Sequence, residues 1–191
     1  MTRQTEERMC HLSISKGSFL PGLNRISEGL YLASAKAASN RTLLATHRIT
    51  CVINVSQEIA KNEAPELEYV NIPVSDTPDT CLLQYFEDIA DKIHTVKAGG
   101  GNTLLHCVAG ISRSPTLCLA FLMKYHGLSL QAAHDWVKTC RPIIRPNLGF
   151  WTQLMTYEMS LFGKNTVTII DSPVGPIPSI YEKETKNFIP F

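Results

Sequence analysis

Apolar residues at Leu82, Phe86, Ile89, Ile93 and Val96 recur at spacings of four, three, four and three, one stripe along a helix that Gly99-Gly100-Gly101 brings to a stop. Other stretches follow a strand pattern. Gly29 to Ala33 reads as a short strand, Thr50 to Val55 as a β-branched strand buried on both faces, and Tyr69 to Val74 as a third. Thr103-Leu104-Leu105 leads as a buried strand into Cys107, and Thr116 to Met123 beyond it is a buried helix that begins near Pro115 and ends at Gly127.

Between these segments lie the remaining helices and their breaks. Ser34 caps a helix carrying Ala37, Ala38 and Leu44, with Asn40 and Arg41 facing water. Ser129 caps an amphipathic helix with Leu130, Ala133, Trp136, Val137 and Cys140 on one side. Arg141 to Asn147 is non-helical, because Pro142 and Pro146 each remove a ladder donor, and a last helix carrying Trp151, Leu154 and Leu161 closes at Gly163. Ser75 to Thr80 is built of turn formers and reads as a surface loop. Strands alternating with helices, then a run of helices, predict an α/β fold with a mainly parallel central sheet flanked by helices. The expected organisation is a leader over 1–22, one domain over 23–163, and a Pro-containing extension over 164–191 with a strand-like piece from Val167 to Ile170.

Composition narrows the picture. With 191 residues and 44% hydrophobic content the chain can bury a sizeable core. Lys+Arg 18 against Asp+Glu 17 argues against an obligatory nucleic-acid partner, so any recognition of negative charge is local. The six cysteines show no CxxC spacing and several sit in apolar runs, which suits free thiols in a reducing, intracellular and cytoplasmic setting. Glu6 and Glu7 fit neither a secretory signal nor a transit peptide, and no apolar run approaches the roughly 20 residues needed to span a bilayer. His47, His94, His126 and His134 have no metal-ligand spacing and read as surface or helix-end histidines.

The candidate chemistry lies in His106-Cys107-Val108-Ala109-Gly110-Ile111-Ser112-Arg113-Ser114. If the residues between Cys107 and Arg113 curl into one loop, their amides and the start of the following helix converge on a space suited to a doubly charged tetrahedral anion. Loop amides, helix N-terminus and Arg113 favour thiolate over thiol at Cys107, where a free thiol of pKa around 8.5 is mostly protonated. The planar fork of Arg113 can hold two phosphate oxygens at once, and Gly110 permits a positive φ or a close backbone approach.

The stretch His-Cys-x-x-Gly-x-x-Arg-Ser resembles the phosphate-binding loop of cysteine-dependent protein tyrosine phosphatases. Leu119 to Lys124, and Arg141-Pro142 through Pro146-Asn147-x-Gly149-Phe150, are similar to dual-specificity phosphatases in particular, and the extension resembles that of small atypical members without an N-terminal kinase-docking domain. The resemblance covers roughly residues 25 to 163. It implies a two-step reaction through a cysteinyl-phosphate, no cofactor or metal, and an aspartic acid supplied by a separate loop. Protonation of the leaving oxygen is a chemical need in any case. Asp76 is the expected acid and base, with Asp79 as runner-up. Ser114 is expected to donate to the Cys107 sulfur, though a plain helix cap would also explain it. His106 is expected to orient the loop, and Asn147 either to support it or to cap a helix. Phe121 departs from the family by standing where many members have Tyr.

The expected activity is hydrolysis of phosphotyrosine and phosphoserine or phosphothreonine in protein substrates, with mitogen-activated protein kinases named by resemblance alone. Two other readings compete. A phosphoinositide or RNA 5′ phosphatase would carry extra basic residues in the loop, where Val108, Ala109, Ile111 and Ser112 offer none. A non-catalytic phosphoresidue-binding module would have lost the cysteine, the arginine or the acid, and all three are present.

Overall fold

The computed structural model describes residues 22–58 and 64–185. The expected leader, up to residue 21, lies outside the described residues. Five strands form the central sheet: β1 (Asn24–Ser27), β2 (Leu30–Ser34), β3 (Ile49–Asn54), β4 (Glu68–Asn71) and β5 (Asn102–Cys107). Their order is β1-β2-β5-β3-β4, with β1 antiparallel to β2 and every other pair parallel. The α/β sheet is therefore mainly parallel, as the alternation of patterns predicts. In a parallel sheet the chain returns by crossovers, so β5, last of the five in sequence, slots into the middle and carries Cys107 at its end with neighbours on both sides.

The two faces of the sheet are covered unequally. Among the described residues, one side carries the helices α1 (Ala35–Ala38) and α2 (Arg41–Thr46), packing Ala37 and Leu44 against Ala33, Val52 and Leu104. On the other lie α3 (Phe86–Ala98), α4 (Arg113–His126), α5 (Leu130–Cys140) and α6 (Leu148–Phe162), which bury the main core with Leu30, Leu32, Ile53 and Leu105. Alternate strand residues face opposite sides, so both covers demand the near-continuous apolar runs seen in β3 and β5. Helix α4 touches α3, α5 and α6, and every residue from Ser114 to Met123 is buried. An unbroken apolar helix in that position is held by burial on all sides, each large aliphatic side chain contributing about 1.5–3 kcal/mol relative to exposure.

Several boundaries differ from the sequence pattern for local reasons. The helix expected to run through Leu44 is two short helices, because Asn40 adopts an extended conformation and caps α2 by accepting from Leu43 N at 3.1 Å. Ser34 does cap α1. β4 stops at Asn71, ahead of Pro73, which has no N–H for the ladder, although Ile72 and Val74 remain buried. A 3-10 turn, Leu83–Tyr85, precedes α3, whereas α4 starts at Arg113 with Pro115 in its first turn, as expected. β1 has no apolar pattern to betray it, yet Ile26 is buried and Trp136 Nε1 donates to its carbonyl at 2.8 Å.

The extension folds into a hairpin of β6 (Ile169–Ser172) and β7 (Gly175–Pro178), followed by α7 (Glu182–Thr185), so its strand starts later than the expected Val167. It lies along the body: Val167, Ile177 and Tyr181 are buried, and the buried Glu158 carboxylate accepts from Leu130 N, Thr166 N and Thr166 Oγ1. His134 is a correction. It is buried rather than on the surface, tilted against Trp151 and edge-on to Tyr181, with Tyr181 Oη 3.3 Å from its Nε2. Burial pushes its pKa down to about 4.

Candidate active site

Cys107 ends β5, and the chain then curls through residues 108–112 before Arg113 opens α4. What shapes the curl is where its carbonyls go. Val108 O accepts from Ala35 N at the start of α1 (3.0 Å), and Ile111 O accepts from Arg145 N (2.7 Å). Ala109 O and Gly110 O both accept from the Arg141 guanidinium, at 2.8 and 2.7 Å. Ser112 O accepts from Thr116 N and Thr116 Oγ1. Each carbonyl from 108 to 112 is thus satisfied by a group outside the curl. A trans peptide points its N–H opposite its C=O, so the amides of 109–113 turn toward the enclosed space.

Gly110 is required on two counts. Its φ is +66°, and a Cβ there would stand 2.3 Å from Ala33 O. Its N–H donates to Cys107 Sγ at 3.2 Å, and Ser114 Oγ donates to the same sulfur at 3.3 Å. Ser114 is fully buried and is not the helix cap, a position that Ser112 occupies. Cys107 itself is buried, so its sulfur sits at the floor of the curl with two donors aimed at it. Val108 and Ala109 are exposed at the rim and Ile111 is half-buried.

Arg113 leans over the mouth. Its Nη1 donates to Val74 O at 3.1 Å, and its Nε, buried and without a hydrogen-bond acceptor, lies 3.5 Å from Asp76 Oδ2. Asp76 Oδ1 accepts from Ser112 Oγ (2.7 Å) and from Asn147 Nδ2 (2.9 Å). Asn147 caps α6, its Oδ1 accepting from Phe150 N, while its Nδ2 donates to the Asp76 carboxylate and its backbone N–H to Ser112 Oγ. Asp79 is exposed and takes no part in these contacts. His106 is buried behind the loop with Nδ1 3.4 Å from Cys107 O, and burial lowers its pKa, which suits a neutral, orienting role.

The structure thus brings Cys107, Ser114, Arg113, Asp76 and Asn147 to one place. Three residues escaped the sequence reading. Arg141 braces two loop carbonyls. Gly149, at the start of α6, lies so close to the loop carrying Asp76 that a Cβ would stand 2.0 Å from Pro78 O. Gln153 holds the far end of that loop, accepting from Leu82 N and Leu83 N and donating to Thr80 O. Arg141 and Gly149 were visible as motif letters, but the loop groups they meet are backbone, and backbone leaves no trace in a sequence. Among the described residues no group of His, Cys, Asp and Glu could hold a metal ion, and no helix is long and apolar enough to cross a membrane.

Comparison with known proteins agrees with this geometry. Residues 30–160 match the family model described as dual specificity phosphatase, catalytic domain. Dual specificity protein phosphatase 18 of Bos taurus is 56% identical over 169 residues, covering 88% of this chain and 90% of the relative. Dual specificity protein phosphatase 14 of Bos taurus is 48% identical over 178 residues, covering 93% and 89%. Among solved structures, human DUSP28 superposes with a TM-score of 0.71 at 38% identity, over 74% of this chain and 99% of that one. A mouse putative dual specificity phosphatase complexed with zinc tungstate gives a TM-score of 0.72 at 36% identity, over 80% and 95%.

Proposed function

The chain belongs to the dual specificity phosphatases, enzymes that remove phosphate from tyrosine and from serine or threonine in proteins, and we propose that it does so through a phosphoryl group carried on Cys107. The observation that carries this reading is the sulfur at the floor of an amide-lined curl, with hydrogen bonds from Gly110 N and Ser114 Oγ. Donors aimed at sulfur stabilise it as an anion, the form that attacks.

The substrate phosphate lies among the loop amides with Arg113 supplying a fork of donors, including the Nε that has no acceptor of its own. Cys107 Sγ attacks phosphorus, an S–P bond forms, and the bond to the leaving oxygen breaks. Asp76 gives that oxygen a proton. Its Oδ1 is taken up by Ser112 and Asn147, and Oδ2, which accepts no hydrogen bond among the described residues and lies 3.5 Å from Arg113 Nε, is the oxygen that carries it. In the second step water attacks phosphorus, Asp76 takes the water proton, and the S–P bond breaks to release inorganic phosphate. The Ser114 hydroxyl, 3.3 Å from the sulfur, steadies the departing thiolate. Neither step draws on a metal or cofactor.

Substrate class follows from the rim. Val108, Ala109, Ile111 and Ser112 add no positive charge beyond Arg113, which supports phosphoproteins over polyphosphorylated lipids or RNA ends. Within phosphoproteins the resemblance points to mitogen-activated protein kinases. A reducing, intracellular compartment fits a reaction that needs the Cys107 thiol free, as it is in the structure. The test is Cys107→Ser with an aryl phosphate: turnover disappears while tungstate or phosphate still binds. Turnover at the wild-type rate refutes the mechanism. A panel of phosphopeptides, including a doubly phosphorylated kinase activation-loop peptide, beside a phosphoinositide and a triphosphorylated RNA, tests the substrate class.

A further inference from the structure

The guanidinium of Arg141 spends its donors on three backbone and side-chain oxygens: Gly110 O from Nε at 2.7 Å, Ala109 O from Nη2 at 2.8 Å and Asn24 Oδ1 from Nη1 at 2.7 Å. It leaves α5 at the C-cap, where its own N–H still donates to Val137 O, so the side chain reaches the loop from a fixed point. Gly110 is wedged by it. A Cβ at Gly110 would meet Ala33 O on one side and Arg141 Nη2, at 2.9 Å, on the other.

Resting on the reading of Cys107 as the nucleophile, we infer that Arg141 is a positioning residue for the phosphate site, fixing two consecutive loop peptides so that the Gly110 and Ile111 amides point inward at sulfur and phosphate. The reasoning is geometric. Holding Ala109 O outward turns the Gly110 N–H inward, and that N–H is the one found on Cys107 Sγ. Holding Gly110 O outward does the same for the Ile111 N–H. One planar fork with two parallel donors fixes both planes, which a lysine ammonium cannot reproduce.

The position adds charge as well as shape. Arg113 faces the enclosed space, and Arg141 stands behind the loop wall with no carboxylate among its hydrogen-bond partners in the described residues. Burial pulls the Arg141 guanidinium below its ordinary pKa, and negative charge on Cys107 acts in the opposite direction. Asn24 completes the arrangement by anchoring the third donor on β1, so the fork cannot swing to solvent.

The test compares the full chain with Arg141→Met, Arg141→Lys and, as a destabilised comparator remote from the site, Glu158→Gln. The readouts are the pH dependence of Cys107 alkylation by iodoacetate, kcat and KM for an aryl phosphate, inhibition by inorganic phosphate, and the melting temperature. Arg141→Met is expected to move the alkylation profile toward higher pH, weaken phosphate inhibition and lower kcat/KM about 100-fold. Arg141→Lys is expected to fall between it and wild type, and it carries the test if the methionine variant does not fold. Glu158→Gln is expected to melt earlier with an unmoved alkylation profile. A wild-type profile in Arg141→Lys or Arg141→Met overturns the inference, and so does a shift that Glu158→Gln reproduces. Failure of the nucleophile assignment is separate, because it appears as retained turnover in Cys107→Ser.

Discussion

Ser112 Oγ donates to Asp76 Oδ1 at 2.7 Å, a direct bond between the curl that follows Cys107 and the loop that carries Asp76. Asn147 joins them from α6, giving to the same carboxylate oxygen and taking Ser112 Oγ as acceptor for its own N–H at 3.2 Å. The acid is therefore located by its hydrogen bonds to neighbouring elements as much as by its own loop.

If Asp76 protonates the leaving oxygen, Asp76→Ala lowers kcat about 100-fold or more for phosphoserine peptides, whose alkoxide leaves poorly, and much less for activated aryl phosphates. The acidic and basic limbs of the kcat profile, measured with both substrates, check the assignment. Asp79→Ala should stay near wild type, and the reverse pattern would transfer the role.

Gly149→Ala tests the seat of the acid loop. A methyl group there collides with Pro78 O, part of a backbone segment that cannot rotate away like a flexible side chain. The expected result is a fall in kcat for poor leaving groups with inhibition by inorganic phosphate kept, since the phosphate loop itself is untouched. Equal loss of both would mean that the collision spreads into α6 and the phosphate loop.

Cys107 should separate from Cys51, Cys118 and Cys140 on oxidation. Burial pushes Cys51 and Cys140 up to about 11 and Cys118 higher still, so they stay protonated and inert at neutral pH. Mild peroxide is expected to inactivate the enzyme through Cys107, with recovery in dithiothreitol. Peptide mass mapping after trapping with a sulfenic-acid reagent reads the site. Loss of activity that tracks Cys51, Cys118 or Cys140 instead would contradict the assignment.

Stability should fall in mild acid because of His134. Its folded pKa of about 4 lies below the ordinary 6.5, so the unfolded chain binds the extra proton between those values. Stability is full above pH 6.5 and declines as pH drops toward 4, by about 2 kcal/mol at pH 5 relative to neutrality. Urea unfolding at the two pH values measures it. His134→Gln should flatten that part of the dependence, which the neighbouring Lys138, Glu184 and Asp135 would otherwise be left to explain.

The helix from Phe86 to Ala98 and the buried strand into Cys107 were legible because their signals are local: a repeated spacing, a glycine stop, an apolar run. The curl that ends β5 and opens α4 was legible for the same reason, its residues gathered in the short stretch from His106 to Ser114. What escaped was long-range. β1 carries one buried apolar residue followed by a buried serine, and its place depends on Trp136 reaching it across the fold. His134 looked like a surface histidine until Tyr181, from the extension, covered it. The break at Asn40 turned on a cap that a helical pattern can hide, since Asn is tolerated within a helix but preferred at its start.

The antiparallel strand Asn24–Ser27 also bears on where a working catalytic unit must begin. The family match opens at residue 30, inside the next strand. A fragment cut there would leave β2 paired with β5 alone, so that this apolar strand becomes the sheet edge, where another chain can pair. The same cut would deprive the Trp136 indole of its acceptor and the Arg141 fork of its anchor. Four residues with scarcely any apolar pattern thus belong to the folding unit, although the family match opens after them.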